Sequence, residues 1–71
     1  MQSVTKEYMV DKTKIGFLRF IFEAYEGLAV VTTLDPGTGH IRLAMPPDRQ
    51  EEVDMVTQSL KKDFYFEPRQ A

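Results

Sequence analysis

Residues 28–45 read LAVVTTLDPGTGHIRLAM, two strand-like segments on either side of a turn. The first segment, 28–34, is apolar and β-branched, as strands often are. The turn, 35–39, is dense in Asp, Pro, Gly and Thr, which favour chain reversal. In 40–45 the apolar residues Ile41, Leu43 and Met45 alternate with His40, Arg42 and Ala44. The stretch therefore predicts an antiparallel β-hairpin with one buried face.

Helical patterns flank this hairpin on both sides. Before it, the segment 15–25 follows Asp11, which stands at an N-cap position, and precedes Gly27, which suits the positive φ of a helix C′ position. After it, Asp48 and Glu51 have the spacing of a capping box that opens a second helix. The apolar stripe of that helix consists of Val53, Val56 and Leu60.

Two further strands complete the predicted order. The first, 4–10, places Val4, Tyr8 and Val10 on one face, and the last, 64–66, is short and closed by Pro68. The order is thus βαββαβ, and crossovers between parallel strands are right-handed. We expect one α+β domain spanning 1–71, a ferredoxin-like βαββαβ sandwich with a four-stranded antiparallel sheet and two helices on one face.

Composition narrows the function. The 71 residues include no cysteine, which excludes disulfides and thiolate zinc sites, and the formal net charge is −2. This charge argues against nucleic acid and anionic membranes as partners, and Tyr8 is the only aromatic residue on the first or third strand. The amino terminus lacks the pattern of a signal peptide, and Arg19 and Glu23 interrupt the apolar run 15–25. We therefore expect a cytoplasmic protein.

The first helix is more apolar than one buried face requires. A step of about 100° per residue spreads its apolar side chains over roughly 220°, whereas a surface helix needs about 100°. If Leu18, Ile21, Phe22 and Tyr25 face the core, Phe20 points about 150° away from it. We predict a partner surface made of Gly16, Phe17, Phe20 and Ala24, in a homodimer or with another protein. The alternative for Phe17 and Ile15 is packing against the second helix.

Two polar clusters are candidate sites. Asp11, Lys12 and Lys14 lie at a strand-to-helix turn whose free N–H groups and cations suit a small anion. An N-capped turn with exposed lysines is the favoured explanation, because no Gly-rich loop accompanies the charges. His40 lies near Asp35 if the hairpin closes tightly, and such a pair can bind a metal or move a proton. Because no further ligand or nucleophile accompanies it, we expect a solvated hairpin residue. We predict no catalytic residue, no metal, no cofactor and no enzymatic activity.

Three short segments resemble the ACT-type regulatory domains: Val10-Asp11, Ile15–Leu18 and Gly27–Val30. In that family a Pro-Gly pair closely follows the Asp, and amino acids bind near this loop at a subunit interface. Here the Pro is absent and the spacing from Asp to Gly is longer. The resemblance implies a sensor of an amino acid or small anionic metabolite at Asp11, Lys12, Lys14 and Gly16. The junction 25–27 and the following strand also resemble a small uncharacterised bacterial domain family, which implies no activity.

Overall fold

The computed structural model describes residues 3–25 and 27–69, which form one sheet and a layer of helices. The strands are β1 (Val4–Val10), β2 (Val30–Asp35), β3 (His40–Met45) and β4 (Phe66–Arg69). They lie in the order β2-β3-β1-β4, and all neighbours are antiparallel. This arrangement confirms the predicted α+β ferredoxin-like sandwich.

The helix layer has two members. Helical segment 1 (12–25) starts with a 3₁₀ turn (Lys12–Lys14), continues as α1 (Ile15–Arg19) and ends as a π-helix (Phe20–Tyr25). The second helix starts with a 3₁₀ turn (Pro47–Arg49) and continues as α2 (Gln50–Leu60). No helix among the described residues is long and apolar enough to cross a membrane.

The core lies between the helix layer and one face of the sheet. Ile41, Leu43 and Met45 are fully buried, which confirms the predicted alternation of β3. Four side chains from the helices reach this face and are completely or almost completely buried: Leu18, Phe22, Val53 and Leu60. The helices therefore cover one face of the sheet and leave the other open.

The π-helix changes which side chains reach the core. Its i→i+5 hydrogen bonds widen the turn, so each residue rotates by less than the 100° of an α-helix. Tyr25 consequently lies 70% exposed, and its predicted place in the core is wrong. Gly27 has the expected positive φ of 64°, but the closing bond runs from the Leu28 N–H to the Phe22 carbonyl oxygen, at 2.8 Å. That bond spans one residue more than a Schellman closure on an α-helix.

Three predicted boundaries need correction. The second helical region begins at Pro47 with Pro46 as its N-cap, so Asp48 lies within the first turn and makes no capping bond. A proline at the first helical position is already well suited to the start of a helix. β2 begins at Val30 rather than at residue 28. β4 runs from Phe66 to Arg69 and therefore contains Pro68 instead of ending before it.

Candidate functional site

The outer surface of the helix layer carries four large exposed apolar side chains. Phe17 is 47% exposed, Phe20 54%, Tyr25 70% and Met55 72%. We call these four residues the helix-layer strip. Gly16 and Ala24 are also exposed, and a Cβ added at Gly16 would meet no atom within 4 Å. The predicted partner residues thus share an accessible surface, and their role as an interface stays a prediction.

Aromatic contacts hold this strip in place. The Phe20 and Tyr25 rings stack with centroids 6.2 Å apart and planes 27° apart. The Phe17 ring meets Phe64 edge to face, also at 6.2 Å. Ring pairs at this distance attract each other beyond their burial and limit side-chain rotation. The strip therefore presents partly ordered aromatic faces, which lowers the entropic cost of binding.

A shallow groove separates the two helices beside the strip. It has a volume of about 340 Å³ and is lined by Ile21, Tyr25, Met55, Val56, Ser59 and Leu60. Its lining is mostly apolar and contains no charged group. The groove suits an apolar side chain from a partner better than an ionic ligand.

The edge of β2 is covered by side chains from helical segment 1. The Val31 N–H donates to Glu23 Oε2 at 2.8 Å, and Arg19 Nη2 donates to Thr33 Oγ1 at 3.2 Å. Glu23 thereby occupies an outward-facing amide that would otherwise be free to pair with another strand. Sequence reasoning missed this role. The i, i+4 spacing of two charges in an otherwise apolar segment is the signal that identifies it.

The edge at β4 is protected by Pro68. The Val10 N–H bonds to the Gly39 carbonyl, so the backbone polar groups of Val10 and Tyr8 face β3. Pro68, opposite Tyr8, is therefore not in a hydrogen-bonded pair with β1, and its backbone nitrogen faces the open edge. Proline has no N–H to donate, so this position cannot contribute a donor to an added strand.

The open face of the sheet is mostly polar, although Met9, Val30 and Ala44 also lie on it. His40 Nε2 lies 2.7 Å from Glu7 Oε1, and the neighbouring positions on this face include Arg42 and Arg69. The predicted proximity of His40 to Asp35 holds for the backbone register, but the side chains do not pair. Asp35 Oδ1 instead accepts from the Gly37 N–H at 2.9 Å. The described residues include no group of three or more acidic, His or Cys side chains that could hold a metal ion.

Tyr8 points away from the open face and into the core, where it is 5% exposed and its ring packs 4.9 Å from that of Phe66. Burial raises the pKa of the Tyr8 hydroxyl, and the charge of Asp54 raises it further. None of the strand residues on the described part of the open face is aromatic. The surface therefore lacks the stacking platform that RNA-binding sheets use.

The strand-to-helix turn holds the predicted anion-binding residues. Asp11 Oδ1 accepts from the Thr13 N–H at 3.0 Å and from Thr13 Oγ1 at 2.7 Å, which confirms Asp11 as an N-cap. These bonds, followed by the charges of Lys14 and Lys12, lower the pKa of Asp11. Both lysines and Gly16 are exposed. The turn therefore offers cations, whereas its carboxylate is already engaged.

Comparison with known proteins places the chain in a family. No curated protein and no solved structure matches it. A protein-family model does match, over residues 8–63, which run from the middle of β1 through both helices to the turn after α2. The matched region thus contains the helix-layer strip and the side chains that cover the β2 edge. The chain belongs to the family described as Domain of unknown function (DUF4911).

Proposed function

We propose that this domain is a non-enzymatic cytoplasmic interaction module that self-associates through the helix-layer strip. The observation that carries this proposal is the exposure of Phe17, Phe20, Tyr25 and Met55, of which Phe20 stacks on Tyr25 and Tyr25 lines the same groove as Met55. Single exposed apolar residues are ordinary, but contiguous apolar patches mark binding surfaces. Ordered aromatic side chains are also the residues that dominate binding energy in interfaces.

The alternative routes of association are less favourable. Glu23 covers an amide at the β2 edge, and Pro68 removes a donor at the β4 edge. The open face of the sheet carries the Glu7–His40 pair and nearby arginines, which are costly to bury. A small domain gains little stability from its own core, so burial of the strip would add to it.

Sedimentation velocity from about 10 µM to about 1 mM tests the proposal, because this range detects association free energies of roughly 4–7 kcal/mol. The variant is Phe20→Glu, which places a charge within the strip. The matched control is Val30→Glu, since Val30 is 58% exposed and lies on the opposite face of the sheet. We expect the parent and V30E to dimerise. Loss of a buried Phe, about 3 kcal/mol, weakens the F20E dimer by at least a hundredfold.

Thermal melts establish that both variants fold. A parent that remains monomeric at about 1 mM contradicts the proposal, because a dissociation constant above this value corresponds to less than about 4 kcal/mol of association free energy. So does an F20E variant that dimerises as tightly as V30E.

A second candidate function is an ACT-like sensor of an amino acid or small anionic metabolite. The supporting observation is the exposure of Lys12 and Lys14 beside the capped turn, with Lys61 and Lys62 at the same end of the helix layer. Thermal shift against a panel of amino acids and organic anions tests it. We expect stabilisation that disappears in a Lys12→Ala/Lys14→Ala variant. Equal stabilisation of parent and variant, or none, excludes this site.

A further inference from the structure

The charges of the helix layer are separated between its two ends. Helical segment 1 and the second helix run antiparallel, since Lys14 and Phe17 share a depression with Asp63 and Phe64. The start of segment 1 and the end of α2 therefore form one end, which we call the basic end. Its charged residues are Lys12, Lys14, Lys61 and Lys62, together with Asp11 and Asp63. The opposite end, the acidic end, carries Asp48, Glu51 and Glu52, and its Arg49 pairs with Glu52 at 3.0 Å.

The strip lies between these two ends. Glu51 and Met55 are four residues apart on α2 and therefore neighbours on one face. Lys62 follows in the turn after the helix, seven residues beyond Met55, and all three are exposed. Along this line the surface changes from acidic to apolar to basic.

This polarity distinguishes between the two ways in which a second copy can dock. Two copies packed face to face are related by a two-fold axis in the plane of contact. If the axis runs along the helices, the like-charged ends meet and repel. If it runs across the helices, each basic end meets the partner's acidic end. Opposite charges across an interface set its register and penalise the wrong arrangement.

We propose that the helix layer is covered by a second copy of this chain in the antiparallel orientation, with the two-fold axis across the helices. This inference rests on the proposed self-association and names its partner and orientation. The strip supplies the apolar centre and the two ends supply a charged rim.

Charge reversal tests the orientation on the full chain. The variants are Glu51→Lys, Lys62→Glu and the double variant E51K/K62E, with dimer dissociation constants measured by sedimentation. In the antiparallel dimer, each single reversal creates two like-charge contacts and weakens the dimer about tenfold. The double variant exchanges the signs of both positions and regains most of the parent affinity. An equimolar mixture of E51K and K62E forms heterodimers tighter than either homodimer.

The charge-reversal variants change the stability of the monomer and the affinity of the dimer in different orders. Each reversal opposes the helix dipole, so the double variant is the least stable monomer and yet a better dimer than either single variant. Higher salt also weakens the parent dimer. A dimer that F20E disrupts but that responds to neither reversal nor salt overturns the antiparallel orientation and leaves the proposed function standing. A parent that is monomeric at about 1 mM overturns both.

Discussion

Removing the Glu23 carboxylate tests how the edge of the sheet is protected. The Val31 N–H donates to Glu23 Oε2 at 2.8 Å, and Val31 is only 4% exposed. Hydrogen bonds to charged groups contribute about 1.5–3 kcal/mol, and the exposed position of Glu23 favours the lower value. A 71-residue domain has a free energy of unfolding of about 4–11 kcal/mol. We expect Glu23→Ala to remove about 1.5 kcal/mol and to lower the Tm by roughly 6–12 °C.

Two further variants isolate the hydrogen bond. Glu23→Gln keeps an acceptor oxygen at the end of a side chain of the same length, so it retains most of the stability. Glu67→Ala removes an exposed carboxylate from the other edge strand, β4, and changes little. Urea unfolding gives the free energies, and amide hydrogen exchange reports on Val31 directly. Its protection falls in E23A and persists in E23Q and E67A.

The same variants also report on the edge itself. With its amide uncovered, β2 can pair with a second β2 strand, so E23A forms additional oligomers that F20E does not prevent. Glu23 does not protect this edge if E23A unfolds with the free energy of the parent and leaves the Val31 amide equally protected.

The remaining predictions concern two backbone positions and one pH dependence. Gly27 and Gly39 both have positive φ, 64° and 86°, but only a Cβ at Gly39 would clash with the carbonyl of Val10. We expect G27A to lose about 1–2 kcal/mol and G39A more than about 3 kcal/mol of unfolding free energy in urea; equal losses contradict this. Asp11→Ala destabilises the fold at neutral pH. Folding lowers the pKa of the Asp11 carboxyl. Its contribution to the free energy of unfolding is therefore fully present above its pKa in the unfolded chain, and it is lost as the pH falls through its lower pKa in the folded protein. The difference in Tm between parent and D11A therefore narrows below about pH 4. A difference in Tm that stays constant with pH refutes this predicted pH dependence.

The hairpin and the strand order were predictable because they depend on local patterns. Alternation in 40–45 requires only that one face of the sheet is buried, and Ile41, Leu43 and Met45 are indeed inaccessible. The turn chemistry of 35–39 then joins the edge strand β2 to its neighbour β3. Asp11 and Gly27 mark the ends of the first helical segment for similarly local reasons. The Asp11 carboxylate accepts a hydrogen bond from a backbone N–H of the first turn, and Gly27 adopts a positive φ after the last turn.

The π-helix was not predictable by the same means. A 100° step places Tyr25 with Leu18 and Phe22, whereas the wider turn leaves Tyr25 exposed. Nothing local requires this turn, because its closing bond reaches from Leu28 back to Phe22 and both side chains are buried in the tertiary core. Packing therefore decides the helix type here, as tertiary contacts often override local propensity.

This wider turn also explains how one helical segment serves two purposes. A short helix must hold Leu18 and Phe22 in the core while Arg19 and Glu23 reach the β2 edge. Those two demands occupy the inner and one lateral side, which leaves the outer side for Phe20 and Tyr25. The π turn brings Tyr25 onto that side, where its ring stacks on Phe20. The exposure of Tyr25 thus follows from the π turn, whereas Phe17 and Met55 lie outside this turn and Phe20 already points outward in a regular α-helix. A variant that restores a regular α-helix would bury Tyr25 and displace Glu23 together.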